Sequence, residues 1–117
     1  MSKYRNIKIA IDGMVFDSKR EGMRYAELKL LQSAGKIAYL QCQKPFVLLE
    51  GVKLHGDKRK GSPTKYIADF AYTDMENGEM VIEDVKGFDT DVSRLKRRML
   101  KVLFGIDVRI IKWGLTY

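Results

Sequence analysis

The octapeptide MVIEDVKG, residues 80–87, sets Glu83, Asp84 and Lys86 inside an otherwise apolar run. A charge buried without a partner costs several kcal/mol, so such a strand carries three ionisable groups where they pair or hold a ligand. Side chains two apart on a strand share a face, which puts Asp84 and Lys86 together and Glu83 on the other side. Another carboxylate, Asp69, lies in YIADFAY, and the connection MENG predicts a hairpin that carries Asp69 towards Asp84. Two apposed carboxylates raise each other's pKa unless a divalent cation sits between them. Oxygen ligands suit Mg2+, with Mn2+ as the expected substitute, and this ion keeps waters for a phosphate and a nucleophile. Lys86 could orient or deprotonate the attacking water, or neutralise charge growing on the phosphate. The acid-x-lysine triplet alone also arises from surface ion pairs, and Asp69 with the strand context is what gives it weight. Glu83 either pairs with a neighbour on the opposite face or, given a bulge, takes the place of Asp84.

The elements that must position these groups can be read in order. IKIAIDGMVFDS alternates about Asp12-Gly13, a dipeptide suited to a two-residue hairpin turn. Ser18 and Glu21 form a capping box, and Met23, Ala26, Leu30 and Ala34 follow at helical spacing until Gly35. IAYLQCQKPFVLLE reads as a strand whose Pro45 marks an edge or a bulge. The polar loop GVKLHGDKRKGSPT then leads to the strands KYIADFAYTD and GEMVIEDVKG. DTDVSRLKRRMLKVLFG reads as a helix stopped by Gly105, and IDVRIIKWGL as a last strand. The predicted architecture is α/β: one domain over residues 1–117, a mixed sheet flanked by two helices, with an N-terminal hairpin.

On the second helix Val92, Leu95, Met99, Val102 and Leu103 form one stripe, predicted to pack, while Arg94, Arg97, Arg98 and Lys101 gather opposite. Those four cations, with Lys58, Arg59 and Lys60 of the loop, are candidate phosphate contacts, or else a solvated surface. Lys96 falls on the side turned to the sheet, where it needs a charged partner or an opening to substrate. Glu27 is expected to pair with a basic side chain, His55 to lie at the surface, Cys42 in the core, Gln43 beside the site, and Trp113 in packing.

Lys and Arg number 22 against 15 acidic residues, a net charge of +7, and the pI is near 9.5. That balance favours a polyanionic partner, nucleic acid first. No apolar run approaches the roughly 20 residues needed to cross a bilayer, so no membrane partner is expected. Cys42 is the only cysteine and no signal-like segment opens the chain, which points to a reducing cytoplasm.

Asp69 followed by Asp84-Val85-Lys86 resembles the signature of the PD-(D/E)XK, or restriction endonuclease-like, nuclease superfamily, with Ala68 where the name has proline. The fold that the resemblance implies, α-β-β-β-α-β, agrees with the element order read independently over residues 18–113. FDSKREGMRYAEL is similar to the corresponding segment of phage and archaeal Holliday junction resolvases, which implies Glu21 as a further metal ligand beside its capping role. With YIADFAY and EDVKG, the segment also resembles small phage proteins of the same superfamily. The resemblance implies Lys96 as the basic residue of the second helix at the site. The expected activity is magnesium-dependent hydrolysis of DNA phosphodiesters, with branched DNA as leading substrate. A homodimer is expected because a junction is two-fold symmetric. For a phage-encoded protein the location is the cytoplasm of the bacterial host. The alternative is a basic, non-catalytic DNA-binding accessory protein with a nuclease-like fold.

Overall fold

The structure, a computed structural model, describes residues 7–112. Strands β1 (Ile9–Ile11) and β2 (Met14–Phe16) form the expected hairpin. Its turn residues Asp12 and Gly13 both have positive φ, 53° and 77°, the conformation that favours Asp-Gly in a two-residue connection. Helix α1 (Lys19–Ser33) is capped by Ser18, whose hydroxyl accepts from the Glu21 amide at 3.1 Å. Gly35 follows with φ 77° and ends the helix as anticipated.

A four-stranded sheet runs β3 (Ile37–Leu49), β4 (Thr64–Asp74), β5 (Met80–Lys86) and β6 (Arg109–Lys112) in spatial order. The β3, β4 and β5 neighbours are antiparallel, while β6 returns parallel to β5 after helix α2 (Asp91–Phe104). This is the α/β arrangement and element order anticipated from the sequence. Pro45 lies on β3, an edge strand, where a missing N–H is tolerated. The loop between β3 and β4 is closed at its base by a glycine contact. A Cβ on Gly51 would stand 2.0 Å from the Gly61 carbonyl oxygen, and Gly61 N–H donates to the Val52 carbonyl at 2.8 Å.

Two apolar clusters occupy the two faces of the sheet. Phe16, Tyr25, Leu28, Phe70 and Tyr72 join α1 and the hairpin to one face. Leu48, Tyr66, Ala68, Ala71, Ile82 and Leu100 join α2 to the other.

Both helices turn a different side to the sheet than their apolar spacing predicts. The buried side of α1 is Glu21, Gly22, Tyr25 and Leu28, whereas Met23 and Leu30 are exposed. The hairpin causes this, because α1 must present a small residue where Ile9 presses against Gly22. In α2 only Leu100 is fully buried, flanked by the half-buried Ser93, Lys96, Arg97 and Met99. The stripe expected to pack is largely exposed, Val102 to 84 %. Gly105 caps this helix in the left-handed conformation, φ 70°. Trp113 lies outside the described residues.

Candidate metal centre

The site forms where the β4–β5 ladder stops. Backbone pairing runs from Thr73↔Met80 to Phe70↔Glu83, and beyond it the carboxylates replace the ladder. Asp84 Oδ1 accepts from the Asp69 amide at 2.6 Å, and Asp69 Oδ2 accepts from the Val85 amide at 2.8 Å. Side-chain alternation breaks at the same place, for Ala68 faces the α2 cluster while Phe70 faces the α1 cluster. Asp69 occupies that break. Across from it on β3, between the pairs Cys42↔Phe70 and Lys44↔Ala68, stands Gln43 with φ 55°. A left-handed residue other than glycine within a strand is uncommon, and such strain concentrates at functional positions.

Gln43 Nε2 donates to Glu21 Oε1 at 3.0 Å. The capping box is therefore only half made: Ser18 caps the helix, and the Glu21 side chain turns inward and is 6 % exposed. Burial first, then repulsion from Asp69, Asp17 and Asp84, pushes the Glu21 carboxyl up to about 7. Asp69 and Asp84 are also raised, in both cases chiefly by burial. For Asp84 the Asp69 amide, Lys86 and Arg97 oppose that rise. Lys86 Nζ lies 3.7 Å from Asp84 Oδ2, and the Tyr66 hydroxyl donates to the same oxygen. Glu21, Asp69, Asp84 and Lys86 are thus brought together from α1, β4 and β5.

Among the described residues, no three His, Cys, Asp or Glu side chains are arranged as a ready-made metal-ligand cluster. The donor set nevertheless suits a hard cation. Glu21 Oε2 and Asp69 Oδ1 accept no hydrogen bond among the described residues, and both belong to carboxyls raised by burial, that of Glu21 also by repulsion from Asp69. Glu21 and Asp69 could hold Mg2+ or Mn2+ through these oxygens, and Asp84, both of whose oxygens already accept from protein donors, would add to the site through water.

Glu83 does not enter the site. It is fully buried on the α1 face, where Arg24 grips it with Nε at 2.6 Å and a terminal nitrogen at 3.0 Å, and the Tyr72 hydroxyl donates to it at 2.7 Å. Arg24 also lies 3.8 Å from Glu27, the basic partner anticipated for that residue. Arg24, Tyr66 and Asp17 escaped the sequence reading. Tyr66 and Asp17 do carry a proximity signal, three residues before Asp69 and one before Ser18, while Arg24 carries none.

The expected basic face of α2 does not survive intact. Arg97 is only 15 % exposed and chelates Asp89 at 3.0 and 2.5 Å, which holds the Asp89 carboxyl below its usual range. Lys101 is paired with Asp107 at 2.6 Å. Arg94 and Arg98 are exposed, and so are Lys58, Arg59 and Lys60 in the loop, with His55 nearby. Lys96 is half-buried and lines a cleft of about 270 Å3 with Lys65, Tyr66, Thr90 and Ser93. Cys42 packs against the α1 cluster, as anticipated. No helix of the described residues is long and apolar enough to cross a membrane.

No curated protein and no solved structure matches the chain. One family profile does, over residues 1–114, and by that match the chain belongs to the family described as Protein of unknown function (DUF1064).

Proposed function

We propose that the chain is a magnesium-dependent endonuclease of the restriction endonuclease-like fold that hydrolyses DNA phosphodiesters, with branched DNA as its preferred substrate and Mn2+ as a substitute metal. One observation carries the reading: Glu21, Asp69 and Asp84 converge, buried and with the Glu21 carboxyl repelled by the other two, beside Lys86 at the point where β4 and β5 part. When bound, the cation supplies Lewis-acid polarisation of a phosphate and a more acidic water. The chain's own residues do the rest. Asp69 and Asp84 orient each other through the amides of Val85 and Asp69, so the pair is pre-set before any ligand arrives. Tyr66 and Lys86 hold Asp84 Oδ2 in place. Lys86 is one-quarter exposed, so its ammonium, while paired with Asp84, is open to an entering phosphate whose charge it stabilises. Lys58, Arg59 and Lys60, exposed in a loop closed at its base, contact backbone phosphates outside the site.

A second reading, a non-catalytic DNA-binding accessory protein, is favoured by a specific feature: both oxygens of Asp84 are held by protein donors. Incubation of four-way junction, flap, nicked and linear duplex DNA with Mg2+ or EDTA separates the two. The nuclease reading expects cleavage with Mg2+, greatest on branched DNA, and none with EDTA or with Asp84→Asn. Salt-sensitive binding without turnover on every substrate would establish the accessory role instead.

A further inference from the structure

The stripe of α2 predicted to pack against the sheet is instead its most exposed apolar surface. Val92, Leu95, Val102, Leu103 and the helix-ending Phe104 are each at least half exposed, as is Leu49 on the adjoining edge strand β3. Helical spacing aligns the first four, and the face is continuous with β3. Leu48, Leu49, Arg98, Met99, Val102 and Leu103 line one groove of about 370 Å3, and the Phe104 ring lies 6.2 Å from that of Phe46. From those exposures the patch offers on the order of 600 Å2 of apolar surface, at the upper end of what a typical monomer leaves uncovered.

We propose that this α2–β3 face is the contact between two copies of the chain in a two-fold dimer. The area is sufficient. A standard stable interface buries about 800 Å2 per partner, of which somewhat more than half is apolar. The shape also fits a second copy, because an isologous contact needs a ridge and its receiving groove on the same patch. Val102, 84 % exposed, forms one rim of the groove and stands out from it as the ridge, and Leu48, Leu49, Met99 and Leu103 line the rest. Charge agrees too. Although the chain carries +7 overall, Arg98 is the only charged residue lining the groove among the described residues, and exposed Glu50 follows directly on Leu49. The inference does not depend on the nuclease reading, since it concerns the protein without metal or DNA.

Sedimentation velocity of the full chain at about 10–100 μM tests it. The wild type should sediment at twice its 13.5 kDa chain mass, and its thermal midpoint should rise with concentration. Val102→Glu on the helix and, separately, Leu49→Arg on the strand should each raise the dimer dissociation constant on the order of 100-fold or more, by forcing a charge into the contact. Far-UV circular dichroism should be unchanged, because neither side chain belongs to the core of one copy. A wild type that stays at 13.5 kDa with a concentration-independent midpoint would overturn the proposal. A dimer that survives both substitutions would overturn it as well, by placing the contact elsewhere.

Discussion

Glu21→Gln separates a site carboxylate from a helix cap, because glutamine serves a capping box as well as glutamate does. The substitution keeps the side-chain size and an oxygen for Gln43 Nε2, so the principal change is charge. The Glu21 carboxyl has a usual value of 4.5 and stands at about 7 in the folded chain. A folded value above the unfolded one means that the native state holds the proton more tightly. The associated stability is complete below 4.5 and is lost as pH rises through 7. At pH 8 both states are ionised and the offset amounts to about 3 kcal/mol, at 1.36 kcal/mol per pH unit. Glu21 is only 6 % exposed, so solvent screening takes little from that figure. Glu21→Gln should therefore be more stable than wild type at pH 8 by about 3 kcal/mol, roughly 10 °C in the thermal midpoint of a domain this size, and nearly equal to it at pH 4.5. Urea or thermal unfolding at a series of pH values measures this directly. Added Mg2+ at pH 8 should raise the wild-type midpoint and move the variant less. A difference between the two proteins that stays constant from pH 4.5 to 8 would show that Glu21 acts as a neutral structural group and is not repelled by Asp69 and Asp84.

Four other variants probe separate links. Lys86→Ala should lower the cleavage rate by about 10²-fold while calorimetric Mg2+ affinity is kept, since its ammonium serves the phosphate and holds no ion; normal turnover would reduce it to a partner of Asp84. Arg24→Met strips the guanidinium from fully buried Glu83 and should cost about 3–5 kcal/mol in urea unfolding. A loss below about 1 kcal/mol would mean that the Arg24 guanidinium is not what holds Glu83 in its pocket. Replacing Lys58, Arg59 and Lys60 together by alanine should flatten the salt dependence of duplex binding by roughly one unit per lost phosphate contact. Arg97→Ala, by contrast, should leave that slope alone and lower the melting temperature, because its guanidinium is committed to Asp89.

The element order and the pairing of Asp69 with Asp84 were legible because they rest on local signals. Asp-Gly sets a hairpin turn, Ser18 a helix start, Gly35 and Gly105 helix ends, and a short polar connection joins β4 to β5. The faces of the helices were not legible, because periodicity finds an apolar stripe without saying what covers it. In α1 the contact with the hairpin selects Gly22 and Tyr25 over Met23 and Leu30. In α2 the pull of Asp89 on Arg97 and the burial of Leu100 rotate the apolar stripe outwards. The inward turn of Glu21 was also hidden, since it depends on Gln43, 22 residues away, in a backbone conformation that no local pattern announces.

Glu83 and Asp84 are neighbours in one strand and both are buried, yet their surroundings differ in a way that bears on function. Glu83 has a dedicated guanidinium at 2.6 Å and a tyrosine hydroxyl, so its charge is balanced within its own pocket. Arg24, pinned in this way, fixes the α1 turn that begins at Glu21. The other three acids have no comparable balance. Among the described residues the one ammonium in direct contact with Glu21, Asp69 or Asp84 is that of Lys86, 3.7 Å from Asp84, and all three carboxyls are pushed above their usual range. A purely structural polar network would be neutralised locally, as Glu83 is, because an uncompensated buried charge lowers stability with nothing gained. The excess of negative charge over positive at the junction of α1, β4 and β5 is a standing cost at neutral pH. Protonation of Glu21 relieves it as pH falls through about 7, and above that pH a bound divalent cation would cancel it while keeping every side chain in place. If the acids are structural alone, saturating Mg2+ should leave the unfolding free energy of the wild type at pH 8 unchanged; if they hold a cation, it should rise with the logarithm of Mg2+ concentration, and Asp69→Asn should abolish the rise.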